Sequence, residues 1–172
     1  TVATRLRELV DHLGVPTLTT PRAKGVIPED HPLAAGVFSG GRLEEELLAR
    51  ADSVLAIGLD STEVFPRAWK AGPAVLSMAE YRTGAWPLEA TAEAIGALAT
   101  GLVLLREDLP PAGEWSLAAW ARRGETFRDR ARSLLADASR LREGGGLAPH
   151  RVVEIAREVF PRPTLAAVDT GA

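Results

Sequence analysis

From Ser53 to Leu59 (SVLAIGL) the chain is an uninterrupted apolar run, and Asp60, Ser61 and Thr62 follow it at once as helix-capping residues. A run this short suits a strand better than a helix, which needs about ten residues or more. Because it does not alternate, both of its faces must be covered, as in a central strand of a parallel sheet. That requirement organises the rest of the chain. Apolar residues Val2, Leu6, Leu9, Val10 and Leu13 recur at helical spacing and stop at Gly14, predicting a first helix. Val15 to Thr20 (VPTLTT) reads as a buried strand, and Ala34 to Phe38 as a short one. Ser39 or Gly41 is expected to open a helix that carries Glu44, Glu45 and Glu46 in its first turn and ends at Arg50. Ala74 to Met78 is a further strand. Leu88 to Leu109 is read as a short strand, Ala90 to Ile95, followed by a helix bearing Leu98, Leu102, Leu105 and Leu109.

Strands alternating with helices at this spacing predict right-handed βαβ units and an α/β fold: a Rossmann-like, doubly wound parallel sheet with helices on both faces. Ser116 to Glu143 reads as a long helix whose seam of Leu117, Trp120, Gly124, Phe127, Ala131, Leu134, Ala138 and Leu141 packs on this domain or a neighbour. Its arginines lie mostly off that seam, among Glu125 and Asp129, as a solvated face. Gly144-Gly145-Gly146 reads as a linker. Pro149 then starts another helix, and Thr164 to Val168 another strand. The expected organisation is a central domain over 1–143, a linker over 144–148 and, over 149–172, the opening βα material of a second domain.

Composition narrows the function. The chain has no cysteine, which excludes disulfides and thiolate catalysis and fits a reducing, cytoplasmic setting. Its three histidines, His12, His31 and His150, have no metal-ligand spacing. A net charge of −3 lacks the footprint of a nucleic-acid binder, and no apolar run reaches the roughly 20 residues that span a bilayer. Trp69, Trp86, Trp115 and Trp120 are scattered as core or seam residues rather than a stacking platform. Thr1 in place of a start methionine, and an end at Ala172 just past an apolar run, read as the marks of a piece of a longer polypeptide.

The stretch to be explained chemically is Thr19-Thr20-Pro21-Arg22-Ala23-Lys24-Gly25-Val26-Ile27-Pro28-Glu29-Asp30-His31-Pro32-Leu33. Ligands of open α/β sheets bind at the carboxyl ends of strands, and this loop leaves such an end. Threonine hydroxyls, the Lys24 ammonium and the Gly25 backbone could hold an anionic or nucleotide group there. As a string, TTPRAKGVIPEDHPLAAGVFSG resembles the corresponding segment of acetolactate synthases and related thiamin diphosphate enzymes, in which two threonines end a strand and a Gly-Xaa-Ile-Pro-Glu-Asp-His-Pro run follows. Ala51 to Gly58 resembles that family's next strand. Ala148 to Val153 and Val168 to Ala172 resemble the start of its diphosphate-binding domain.

The resemblance implies a parent with three α/β domains and a 2-oxo acid substrate, with benzoylformate decarboxylase-like lyases as the alternative parent. One flanking domain would bind the cofactor's pyrimidine and the other its diphosphate and Mg2+, in a homo-oligomer. The middle domain binds FAD in acetolactate synthases, ADP in some relatives and nothing in many others. This chain lacks the family's Gly-Asp-Gly motif and an activating glutamate, so no catalytic or metal-ligating residue is expected in it. The middle domain's own first strand is also expected to be missing ahead of Val2. The candidate nucleotide cleft comprises Thr20, Pro21, Lys24, Gly25, Phe38, Gly58 and Asp60, and Gly171 would border the parent's thiamin diphosphate site. Leu59-Asp60-Ser61-Thr62-Glu63 and Ser77-Met78-Ala79-Glu80 depart from the FAD-binding pattern, so Asp60 is read chiefly as a helix cap and His31 as a loop-packing residue.

Overall fold

The computed structural model describes residues 1–40, 44–64, 74–82, 89–111, 129, 133, 136 and 147–165. Two compact units, Thr1–Arg128 and Asp129–Ala172, divide the chain. In the first, the elements run α1 (Val2–Leu13), β1 (Thr17–Thr19), β2 (Ala34–Val37), α2 (Glu45–Leu48), β3 (Ser53–Ile57), a 3-10 turn (Ser61–Glu63), β4 (Ala74–Ala79), β5 (Ala92–Ile95) and α3 (Leu98–Asp108). All strand pairs are parallel. They form a two-stranded sheet, β1–β2, and a three-stranded sheet, β3–β4–β5.

Helix α1 follows its periodicity closely. The Thr1 hydroxyl accepts from the Thr4 N–H at 3.2 Å as N-cap, and Gly14 donates to the Val10 carbonyl at 2.9 Å as the helix stops. Its apolar stripe reaches two clusters. Leu9 packs with Met78 and Leu102, flanked by Ile57, Leu98 and Leu105, and Val10 packs with Ile27 and Leu33. Helix α3 lies alongside in the same direction. Arg5, near the start of α1, donates to the Ala99 carbonyl at 2.6 Å, Arg106 pairs with Glu8 at 3.1 Å, and the His12 ring nitrogen meets the Leu109 carbonyl at 2.8 Å. A third cluster, Phe38, Leu48 and Val64, gathers Leu18 from β1 and Val54 from β3. Val54 and Ile57, an odd number of residues apart on β3, thus serve different clusters, as the two-residue period of a strand requires. Helices cover both faces, and the fold is α/β with parallel strands, as expected.

Two local differences have clear causes. The apolar run stops as a strand at Ile57 because Gly58 takes φ +61°, a left-handed conformation that turns Leu59 out of the ladder. Described α2 begins only at Glu45, and Ser39 does not cap it. Instead the Ser39 N–H and hydroxyl both donate to the Glu44 carboxylate, at 2.6 and 3.0 Å. Gly41 and Leu43 lie outside the described residues.

The second unit contains α4 (Pro149–Val159), with Pro149 in its first turn as expected. Asp129, Ser133 and Ala136 are helical. The rest of the long-helix seam, the four tryptophans, the Gly144–Gly146 linker and the strand beyond Leu165 lie outside the described residues. No helix among the described residues is long and apolar enough to cross a membrane.

Candidate functional site at the strand ends

The shared direction of α1 and α3 fixes the relative sense of the two sheets. Helix α1 delivers the chain to the amino end of β1, and α3 departs from the carboxyl end of β5, so their parallel alignment places all strand tips on one side. Thr20, Phe38 and Gly58 leave the tips of β1, β2 and β3. Arg22, beyond β1, lies close enough to Asp60, beyond β3, to favour its carboxylate form. Thr20, Phe38 and Gly58, with Pro21 and Asp60 close behind in sequence, thus lie at the carboxyl ends of their strands.

Their individual contacts are mostly internal. Pro21 opens a tight turn in which Ala23 N–H donates to both the carbonyl and the hydroxyl of Thr20, at 3.0 and 3.3 Å. The Lys24 ammonium pairs with Glu29 at 2.7 Å, with both side chains more than half exposed, so the pair adds little stability. Arg7 of α1 donates to the Gly25 carbonyl at 3.1 Å and to the Val26 carbonyl, tying the loop to the helix. His31 adds a second tie. Its Nδ1 accepts from the Leu33 N–H at 3.2 Å, which leaves Nε2 as the proton-bearing nitrogen facing the Asp11 carboxylate at 3.0 Å. This is the loop-packing role expected of His31. Phe38 is buried in the core, and a Cβ at Gly58 would press on Leu98 at 3.3 Å in addition to straining the backbone. Gly171 lies outside the described residues.

Asp60 caps the 3-10 turn, accepting from the Thr62 N–H and hydroxyl at 2.9 Å each. It also accepts from the Tyr81 hydroxyl at 3.2 Å, across from the tip of β4. The Thr62 N–H, then its hydroxyl, hold the Asp60 pKa below the ordinary carboxylate value against some desolvation, with help from Tyr81 and Arg22. The Asp60 charge, then its hydrogen bond, push the Tyr81 phenol up. The signs are opposite and so are the windows. The Asp60 contribution to stability is present above its ordinary pKa and lost as pH falls through the lowered value. That of Tyr81 is present below 10.0 and lost as pH rises through the raised value. Tyr81 is the only tyrosine in the sequence. The phenolate absorbance titration therefore reports it alone, with an expected midpoint above 10.0 that Asp60→Asn moves back toward the ordinary value.

Among the described residues, no group of three or more His, Cys, Asp or Glu side chains stands together to hold a metal ion. The described donors at the rim suit a ligand only in part, since a phosphate at Lys24 would compete with Glu29 and a hydroxyl donor at Asp60 would compete with Thr62 and Tyr81.

Residues 1–75, from α1 to the start of β4, match the family model described as thiamine pyrophosphate enzyme, central domain. Over this stretch the chain is similar to such central domains. The family gives the parent of a thiamine pyrophosphate enzyme central domain further domains and makes thiamin diphosphate its cofactor. Sequence reasoning missed three polar residues of the rim and its supports: Arg7, Glu44 and Tyr81. Arg7 offered one faint signal, as a long cationic side chain off the apolar stripe of α1. Tyr81 offered another, as the lone tyrosine just past a strand. Glu44 was hidden among three consecutive glutamates.

Proposed function

We propose that this chain is the middle-domain portion of an acetolactate synthase-like enzyme acting on 2-oxo acids, and that its role is to hold the two cofactor-binding domains in register. The observation that carries the reading is the loop after β1. Its Gly-Val-Ile-Pro-Glu-Asp-His-Pro run lies inside the matched family region, and its charged residues bind the loop to itself and to α1. The parent would make or break the carbon–carbon bond beside a 2-oxo acid's carbonyl, with thiamin diphosphate supplying the carbanion chemistry when bound with Mg2+. The segment over 149–172 is the start of the diphosphate-binding domain on this reading, and Gly171 borders the cofactor there. Pairing of catalytic domains makes the parent a homo-oligomer in the cytoplasm.

A second reading has its own support. Thr20, Phe38 and Gly58 follow the ends of β1, β2 and β3, Pro21 and Asp60 stand within two residues of them and Lys24 and Gly25 lie further along the β1 loop, and a nucleotide such as FAD or ADP would sit at such strand ends on this reading. The internal pairing of Lys24 and Asp60 favours the first reading. Incubating this chain with pyruvate, thiamin diphosphate and Mg2+ is expected to give no product, whereas the full parent polypeptide gives cofactor-dependent product. Turnover by the chain alone, or none by the parent with any 2-oxo acid, overturns the assignment. Calorimetry with FAD, ADP and CoA is expected to be flat, and micromolar binding of one of them establishes the cleft.

A further inference from the structure

His31 stands where two turns meet. Its N–H donates to the Pro28 carbonyl at 3.0 Å and its carbonyl accepts from the Ala34 N–H at 2.9 Å, so the loop after β1 ends and β2 begins across this residue. Leu33, two residues on, ties that junction into the fold in three ways. Its side chain is buried with Val10 and Ile27, its carbonyl accepts from the Thr17 N–H at 2.8 Å on the entry to β1, and its own N–H donates to Nδ1 of His31 at 3.2 Å.

The partly buried ring uses both of its nitrogens, with Nε2 facing the Asp11 carboxylate of α1 at 3.0 Å. Only a neutral imidazole protonated at Nε2 satisfies both partners, because an imidazolium donates from each nitrogen and accepts at neither. A second proton therefore has opposite effects at the two ends of the ring. The Asp11 contact becomes an ion pair beside the carboxyl end of α1, where the helix dipole also favours positive charge. The Leu33 N–H loses its acceptor and meets another N–H instead. The other charged groups of the surrounding elements are engaged elsewhere or exposed. On α1, Arg7 holds the Gly25 and Val26 carbonyls, Glu8 pairs with Arg106 and His12 meets the Leu109 carbonyl. In the loop, Lys24 pairs with Glu29 and Asp30 is exposed, while β1 and β2 carry no charged residue.

We infer that His31 is a proton-operated latch on the start of β2. The neutral ring clasps Leu33 and α1 together, and the imidazolium keeps α1 but releases Leu33. Imidazoles change charge between about pH 5 and 8, so the latch answers to an interval that other side chains cross without change. The loop stays fastened to α1 through Asp11 and through Arg7 in both states. What changes is confined to the Leu33 turn and to the first rung between β1 and β2, which the Leu33 carbonyl makes with Thr17.

The test is amide exchange of this chain at about pH 8 and about pH 5, corrected for the intrinsic pH dependence of exchange and read together with the ring-nitrogen chemical shifts of His31. Protection of the Leu33 amide is expected to fall at least about tenfold at the lower pH, while that of Val10, inside α1, stays constant. The ring shifts are expected to place the proton on Nε2 at the higher pH. His31→Asn should keep Leu33 protected throughout, because an asparagine oxygen accepts the same N–H at either pH. His31→Ala should leave it unprotected throughout, and His12→Asn should leave the response of Leu33 as it was. The latch is overturned by equal Leu33 protection at the two pH values, by a proton on Nδ1 at the higher one, or by a pH response that survives His31→Asn. A parallel loss at Val10 would mean unfolding rather than release and would overturn it as well.

Discussion

Replacing Leu9 with alanine is expected to lower the unfolding free energy of the first unit by about 2–5 kcal/mol, read as a drop in the denaturant midpoint at unchanged slope. Leu9 is 1% exposed and joins α1 to β4 and α3 through Met78 and Leu102. Alanine is the better helix former, so propensity cannot supply the loss. What disappears is a leucine side chain whose burial contributes about 1.5–3 kcal/mol, together with the contacts of the cavity left behind. Leu104→Ala on α3 is the matched control. That leucine is 52% exposed, and its removal should change stability by no more than about 0.5 kcal/mol. Equal effects at the two positions would mean that the Leu9–Met78–Leu102 cluster is not the core.

Glu44→Ala is expected to cost about 3 kcal/mol, with Glu44→Gln recovering part of it, measured by the same unfolding titrations. The Glu44 side chain is 2% exposed at the end of the loop after β2, and its carboxylate accepts both the N–H and the hydroxyl of Ser39. Alanine would leave those two part-buried donors without this acceptor, whereas glutamine keeps one oxygen able to accept. The same bond bears on ligands. The carboxylate already takes the Ser39 donors at the tip of β2, so an incoming phosphate would have to compete with it for them. A variant at Glu44 as stable as the parent sequence would show that Ser39 is satisfied from elsewhere.

Much of the fold could be read from the chain because its signals are local. The 3.6-residue spacing of Leu6, Leu9, Val10 and Leu13, closed by Gly14, specified α1 to the residue, and the unbroken Ser53–Leu59 run specified a strand, of which Ser53–Ile57 is extended. The string from Thr19 to Gly40 pointed to the family, since it combines backbone-restricting prolines and glycines with charges at fixed spacing. Asp60 directly after a strand announced a cap for the same reason.

Other features depended on which distant segments meet. No local pattern distinguishes Glu44 from its two glutamate neighbours. Glu44 is buried where Glu45 is only partly so, a difference that tertiary packing sets. Tyr81 and Asp60 are 21 residues apart and become partners only because β3 and β4 are adjacent and parallel. Arg7 meets the Gly25 loop for the same kind of reason, through the docking of α1. Periodicity and turn chemistry act over a few residues, so the sequence alone determined the elements and their polarity. Which strands pair, which carboxylate is buried and where a ladder is interrupted depend on long-range packing, and only the tertiary structure decided them.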